Sequence, residues 1–270
     1  MPILDKLFLK NPVRKWISAL GFIPGTPVAQ FAMRRIAEKE SKEISKSINS
    51  DLSTGERPPR DFLSRFQEAH KKDPDLISQQ RVLALTVANM FAGSDTTAIS
   101  LRAIFYNLIR NPKKLAKLQA ELNDAETRNV IEKNNPIVRW NDVRELPYLS
   151  AVIYESLRTH PAAGLPLERI VPAGGIFIGD KLLPAGTNVG CSAWTLHRDT
   201  KTWGDDVNTW RPERWIQANE GKKAEMKNSL FSFGAGARTC IGKNISYLEM
   251  YKLVPAVLRS FEVIGYPMLY

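Results

Sequence analysis

The stretch from Val82 to Leu101 is twenty residues long and carries a single formal charge, Asp95. It lies inside a longer helix candidate that begins near Ser78, an N-cap residue type, and is stopped by Asn111-Pro112. At about 1.5 Å per residue this element runs about 50 Å, longer than most helices of globular proteins. Two settings accept such a helix: a membrane span or the interior of a helical domain. Placing Asp95 in lipid costs roughly 2.5–3.5 kcal/mol, and Asn89, Ser94, Thr96 and Thr97 add polarity. The sequence therefore predicts a helix buried inside a protein. At its centre, Gly93, Ser94, Asp95, Thr96 and Thr97 are consecutive weak helix formers, costing together roughly 3 kcal/mol against alanine. Their side chains can bond backbone carbonyls, so a loosened or kinked ladder is expected there. A tolerated kink and a proton-delivery site both remain open at this point.

Elsewhere the chain reads as mostly helical with a small sheet. Residues 26–50 are charged and helical in character, and Ser50–Arg60 read as a loop around Gly55, Pro58 and Pro59. Helices are expected near Lys113–Asn123, Leu146–Thr159 and Ile241–Ser260. Between them, Gly179-Asp180 suits a hairpin turn between Gly174–Ile178 and Lys181–Leu183, and Thr187–Cys191 adds a further strand. The segment 195–239 has little periodicity, but Trp203, Trp210 and Trp215 predict that it is packed. Six Trp and eleven Phe argue against disorder.

The formal charge of +10 favours acidic partners without choosing among them. No aromatic-interleaved basic stretch is present, which argues against nucleic-acid binding. Two cysteines, Cys191 and Cys240, are too few for a disulfide-built scaffold. The first ten residues, Met1–Lys10, interrupt their apolar positions with charge and suit neither a signal peptide nor an anchor. A cytosolic face is the expected compartment.

The most informative stretch is Phe231-Ser-Phe-Gly-Ala-Gly-Ala-Arg-Thr-Cys-Ile-Gly242. Gly234, Gly236 and Gly242 let the backbone turn tightly and approach a flat ligand. Tyr247, Tyr251, Val254 and Leu258 recur downstream at helical spacing, which puts Cys240 near a helix N-terminus. The partial positive charge there, with Arg238 two residues away, favours thiolate over thiol. Zinc is disfavoured, because no second Cys or His lies close enough to form the usual ligand pair.

The pattern Phe233-x-x-Gly236-x-Arg238-x-Cys240-x-Gly242 resembles the haem-thiolate signature of the cytochrome P-450 family at every defined position. The resemblance implies a mainly α fold with a small β component, of which this chain is the C-terminal portion. It implies haem (iron protoporphyrin IX) with Cys240 as the axial thiolate and iron ligand. Ala92-Gly93-x-Asp95-Thr96-Thr97 is similar to the family's oxygen-activation motif, which assigns Asp95 and Thr96 to proton guidance. Arg169 and Arg238 stand where the family has basic residues for the haem propionates. Phe91 and the Ala162–Leu167 turn fall where the family faces its substrate.

Glu155-Ser-Leu-Arg158 is similar to the family's Glu-x-x-Arg pair, and Arg214, in Pro212-Glu-Arg-Trp215, to the pair's third member. Read from the residues alone, Leu149, Val152, Ile153, Ser156 and Leu157 form the inward stripe. Glu155 and Arg158 are then left on a flank as an exposed i,i+3 ion pair worth about 0.2–0.5 kcal/mol. Only the resemblance makes them a buried network. His70, His160 and His197 read as ordinary surface or packing histidines.

The likeness runs from about Ser78 to the C-terminus, with phrasing most similar to fungal members. It implies a monooxygenase acting on a small apolar organic substrate with O2 and an NADPH-dependent reductase. Residues 1–270 are expected to form a single partial haem-binding catalytic domain. Family members are roughly twice this length, so a membrane anchor, distal helices and endoplasmic reticulum attachment are expected to lie in the missing N-terminal part. Two rivals remain: a haem-holding or inert fragment without turnover, and a cysteine-nucleophile hydrolase using Cys240 with His197.

Overall fold

The computed structural model describes residues 31, 34–39, 61–133 and 135–263. The expectations for Met1–Lys10, for Ser50–Arg60 and for most of residues 26–50 lie outside these described residues; residues 34–39 are helical. The chain divides into two compact units, 1–94 and 95–270.

In the first unit, helix α1 (Phe62–Lys72) starts on Asp61, whose carboxylate accepts the N–H of Ser64 at 2.7 Å. This bond satisfies one of the orphan donors of the helix start. The Lys39 ammonium also binds Asp61, and that bond is the main reason its carboxyl is held down at about 2. His70 Nδ1 lies 2.6 Å from the Ile77 carbonyl and closes the turn after α1.

Helix α2 runs from Gln79 to Arg110, one residue from its expected start, with helical residues throughout its weak centre. No proline interrupts residues 91–98, and Ser100 Oγ donates back to the Thr96 carbonyl at 3.1 Å, a bond that an intact α-helix tolerates. The expected burial inside a protein is met by the C-terminal part of the helix, where Ala103, Ile104 and Leu108 are buried, and not by its centre. Residues 91–96 are exposed in succession, including Phe91 at 51%. By length and composition α2 is also the one helix among the described residues apolar enough to cross a membrane.

The second unit is built on four helical segments: the end of α2, α3 (Pro112–Thr127), α5 (Pro147–Thr159) and α10 (Lys243–Ser260), with the short α4 (Trp140–Val143) beside them. Ile104 and Leu108 of α2, Leu118 and Leu122 of α3, Val152 and Ile153 of α5, and Met250 and Val254 of α10 are all buried in one cluster. Nine residues of α5 are buried, polar ones included, so this helix is surrounded rather than laid on a surface. Its first turn has no cap from Leu146. Instead Glu121 of α3 accepts the N–H groups of Tyr148 and Leu149 at 2.7 and 2.8 Å. Burial raises the Glu121 carboxyl, and these two bonds only partly offset it.

The sheet component is two antiparallel pairs. Strands β2 (Ile176–Ile178) and β3 (Lys181–Leu183) form the expected hairpin, with Gly179 at φ +62 in the turn. Strand β4 (Asn188–Cys191) was expected, but its partner β1 (Leu167–Ile170) was not. After β4 come the short helices α6 (Ala193–Leu196), α7 (Thr200–Trp203) and α8 (Glu213–Gln217), then α9 (Glu220–Ser229). Trp203 and Trp215 are buried here with Val207 and Met226, so the irregular segment is packed, as its tryptophans imply.

Candidate functional site

The cysteine loop leaves α9 and turns twice through glycines in left-handed conformation, Gly234 at φ +68 and Gly236 at φ +69. A side chain at Gly234 would stand 3.1 Å from Leu167 Cδ1, whereas the Cβ direction of Gly236 meets nothing within 4 Å. Gly234 is thus required by backbone angle and by close packing against β1, and Gly236 opens towards free space. The N–H of Gly234 donates to Phe231 O at 3.0 Å, and that of Cys240 to Phe233 O at 2.9 Å. The loop folds back so that its cysteine hangs on Phe233. Gly242 then caps α10, whose start has no side-chain partner.

Cys240 is free and exposed, as is Cys191 on β4. Ile241 beside it is fully exposed at 101%. Arg238 is exposed and makes no ion pair with any described residue. Arg169, on β1, is exposed and spends one N–H on the neighbouring Glu168 carbonyl at 2.7 Å. The packing of Leu167 on Gly234 sets that strand beside the loop. From the other direction, Thr97 of α2 is buried and its Oγ1 lies 3.1 Å from Ser246 Oγ, one turn into α10. Asp95 and Thr96, the two residues just before it on α2, are exposed. The structure therefore brings β1, the cysteine loop and this part of α2 together around the start of α10.

Behind the loop lies a group of opposite character. Glu155 and Arg158 are both 0% exposed and Arg214 is 4%. Arg158 grips Glu155 with two bonds, Nη2 to Oε1 at 2.8 Å and Nε to Oε2 at 3.0 Å. Arg214 Nε donates to Oε1 at 3.1 Å and Trp215 Nε1 to Oε2 at 3.0 Å. The remaining Arg158 donors reach the carbonyls of His197, Val207 and Thr209 at 2.9, 2.7 and 3.1 Å. Arg214 continues to Asp206 Oδ1 at 2.9 Å. Burial pushes the Asp206 carboxyl up, but the bonds from Arg214 and Arg211 outweigh it and hold it below the usual range. The exposed ion pair expected from helix periodicity is overturned. Partners from segments 39 to 60 residues away close over the flank that periodicity assigns to solvent.

His197 was expected to be an ordinary histidine, and it is fully buried. Its Nδ1 bonds the Arg158 carbonyl at 2.8 Å, and its Nε2 accepts the N–H of Phe231 at 2.8 Å. Burial is the main reason its pKa is lowered to about 4.

A comparison with known families decides what this site belongs to: the family model described as cytochrome P450 matches residues 17–267. The chain belongs to the cytochrome P450 family. A cytochrome P450 monooxygenase of Aspergillus terreus is 46% identical over 97% of this P450 chain and 51% of its own length. Another, cicH of Emericella nidulans, is 42% identical over 97% of this chain and 50% of its own. The chain spans about half the length of the curated relatives it matches. A zebra fish cytochrome P450 structure with abiraterone superimposes with a TM-score of 0.67 at 25% identity, over 95% of this chain and 54% of that one. The expected fold, mainly α with a small β component, and the likeness to fungal members are both found.

The family's cofactor is haem with a cysteine thiolate on the iron. The residues of this P450 chain fit that group. Among the described residues, an exposed sulfur without a hydrogen-bond partner stands at a helix start, beside a fully exposed isoleucine and an open glycine, with an arginine nearby that pairs with no carboxylate. Those are the complements of an apolar plane with an anionic rim.

Proposed function

We propose that the protein is a haem-dependent monooxygenase, inserting one oxygen atom from O2 into a small apolar organic substrate with electrons from an NADPH-dependent reductase. The observation that carries this reading is the free, exposed Cys240 at the start of α10 within the glycine loop of a P450 chain. Bound haem supplies the oxygen chemistry, and a thiolate ligand pushes electron density in the sense that favours O–O cleavage. Cys240 Sγ would hold the iron, and the α10 N-terminus would complement the thiolate's negative charge. The Phe233 carbonyl keeps the Cys240 amide in place, while Gly236 and Gly242 would leave room for a flat group beside the backbone. Arg169 and Arg238 would bind the propionates. Thr96 Oγ1 and the Asp95 carboxylate, exposed on one turn of α2, pass protons inward from solvent. Residues 1–270 act as part of a single haem-binding catalytic domain. The proposed setting is the cytosolic face of the endoplasmic reticulum membrane. The charge of +10 suits an acidic reductase.

The hydrolase rival loses its base, because both His197 nitrogens are already bonded and the ring is fully buried. The test is the ferrous carbon monoxide difference spectrum of the haem-loaded protein, followed by product formed per NADPH consumed. A thiolate-type band with coupled product is expected. A band without product would make the chain a haem-holding fragment, and no thiolate band would overturn the reading.

A further inference from the structure

His197 is a buried, titratable ring that the proposed chemistry does not use, and its bonds run in a definite direction. Its own carbonyl accepts Arg158 Nη1 at 2.9 Å, and its Nδ1 bonds the Arg158 carbonyl at 2.8 Å. The imidazole is thereby clamped to the Glu155 network by both backbone and side chain. The ring also meets Trp203 edge to face, with centroids 5.9 Å apart, which fixes its tilt. The free nitrogen, Nε2, then points at the first residue of the cysteine loop and takes the Phe231 N–H at 2.8 Å. From there the bonds continue inside the loop. The Phe231 carbonyl accepts Gly234 N–H, and the Phe233 carbonyl accepts Cys240 N–H. One other side-chain bond holds the start of the loop, from Ser232 Oγ to the Leu157 carbonyl at 2.8 Å.

We propose that His197 is a positioning residue for Cys240, an imidazole bridge that transmits the fixed geometry of the Glu155–Arg158–Arg214 network to the loop carrying the iron ligand. The inference rests on Cys240 being that ligand. The bridge needs a neutral ring with one donor and one acceptor nitrogen. Arg158 and Arg198 face the ring from α5 and α6's C-terminal end and oppose a second proton, while Glu155 favours one. Removing the acceptor leaves the half-buried Phe231 N–H without its protein partner and frees the loop start to move.

Asparagine and glutamine separate this role from simple filling of space. The Asn amide stands in for Nδ1 and keeps the bond to Arg158 but cannot reach Phe231. The Gln amide stands in for Nε2 and can accept the Phe231 N–H. Both variants are made in the protein as it exists, and two readouts are taken. The first is amide hydrogen exchange over residues 231–240 at a fixed interval below each melting temperature, with and without haem. The second is the fraction of the ferrous carbon monoxide spectrum in the thiolate band. Expected for His197→Asn is exchange at least about tenfold faster over 231–240 and less than half of the wild-type thiolate fraction. Expected for His197→Gln is exchange within about threefold of wild type and a retained band. Equal behaviour of the two variants, or the reverse order, would overturn the proposal. If His197→Asn does not fold, His197→Gln decides alone: wild-type exchange supports the bridge and tenfold faster exchange refutes it. If wild type itself lacks the thiolate band, the Cys240 assignment fails, and the exchange measurement still reports on the bridge.

Discussion

The Glu155 network and the cysteine loop lie next to each other and are built by opposite rules. In the first, two arginines and a glutamate are buried, and their donors and acceptors are matched to carboxylates, carbonyls and an indole N–H. In the second, a thiol, an arginine and an isoleucine stand exposed at the start of a helix without side-chain partners. Burying the first group is expensive unless every polar atom is satisfied, so its residues answer to one another and are unfit to bind anything else. The second group keeps its capacity for a ligand, and for that reason adds little to the fold. Among the described residues, the loop is held by backbone bonds, by the Thr239 hydroxyl on the Phe233 carbonyl and by two contacts to the frame behind it, not by bonds of Cys240 or Arg238.

Two substitutions should break this contrast in opposite ways. Cys240→Ala should abolish the thiolate-type carbon monoxide band and all oxygenation, the largest effect expected in the molecule. It should leave stability within about 0.5 kcal/mol, because the side chain is exposed. Urea unfolding of the haem-free chain beside the spectrum checks both halves. A variant that keeps the band removes Cys240 from the iron. Glu155→Gln should do the reverse, costing about 3–5 kcal/mol by leaving Arg158 and Arg214 buried without their carboxylate. Its spectrum per folded, haem-loaded molecule should stay of thiolate type. A melting temperature equal to wild type would mean that the network is not what locks the fold.

The sequence exposed these two regions unequally. The long helix, α10 and the cysteine loop were legible because one feature each carried them: an apolar run, an apolar stripe, and glycines around a lone cysteine and arginine. The hairpin was legible from Gly179-Asp180. The burial of Glu155 and Arg158 was not, because a helical stripe identifies one packed face and says nothing about distant segments that close over the others. Strand β1, Leu167–Ile170, shows neither alternation nor burial that would mark it; its pattern runs from half-buried to exposed. His197 gave no signal beyond its company, a segment dense in Trp, Arg and Asp between residues 194 and 215. That density is itself what a packed polar hub looks like in sequence. Residues 91–96 misled for a further reason. Weak helix formers need not interrupt a helix, and an apolar run need not be buried by the residues nearest to it.

Acid should sharpen the contrast at His197. Burial keeps its imidazole neutral down to about pH 4, whereas an unfolded histidine takes up a proton near 6.5. Between those values the unfolded histidine binds a proton that the folded one does not, so its contribution to stability falls as pH falls through that window and is unchanged above it. At about 1.4 kcal/mol per pH unit, the histidine contribution lost across the window is on the order of 3 kcal/mol. Urea unfolding at pH 7 and pH 4.5 should therefore show a drop in wild type that is smaller in His197→Gln, which has no imidazole to protonate. An equal drop in both would place the acid sensitivity on other groups.

The smallest effects, and the finest test of the comparison, concern two adjacent threonines on α2. Thr97 is buried with its hydroxyl on Ser246, so it belongs with the frame. Thr97→Val keeps the shape and loses that bond, and should cost about 1 kcal/mol in unfolding measurements. Thr96 is exposed, and Thr96→Ala should change stability by less than about 0.5 kcal/mol. Its effect should fall on proton delivery instead. With the hydroxyl gone, reducing equivalents pass to peroxide, and product formed per NADPH consumed drops while haem and substrate binding hold. Measuring coupling and stability on both variants gives a crossed result if the assignment holds: Thr97→Val loses stability and keeps coupling, and Thr96→Ala does the opposite. Coupling that falls with Thr97→Val and holds with Thr96→Ala would move the proton path to the buried hydroxyl pair, and the exposed turn of α2 would then have no chemical part.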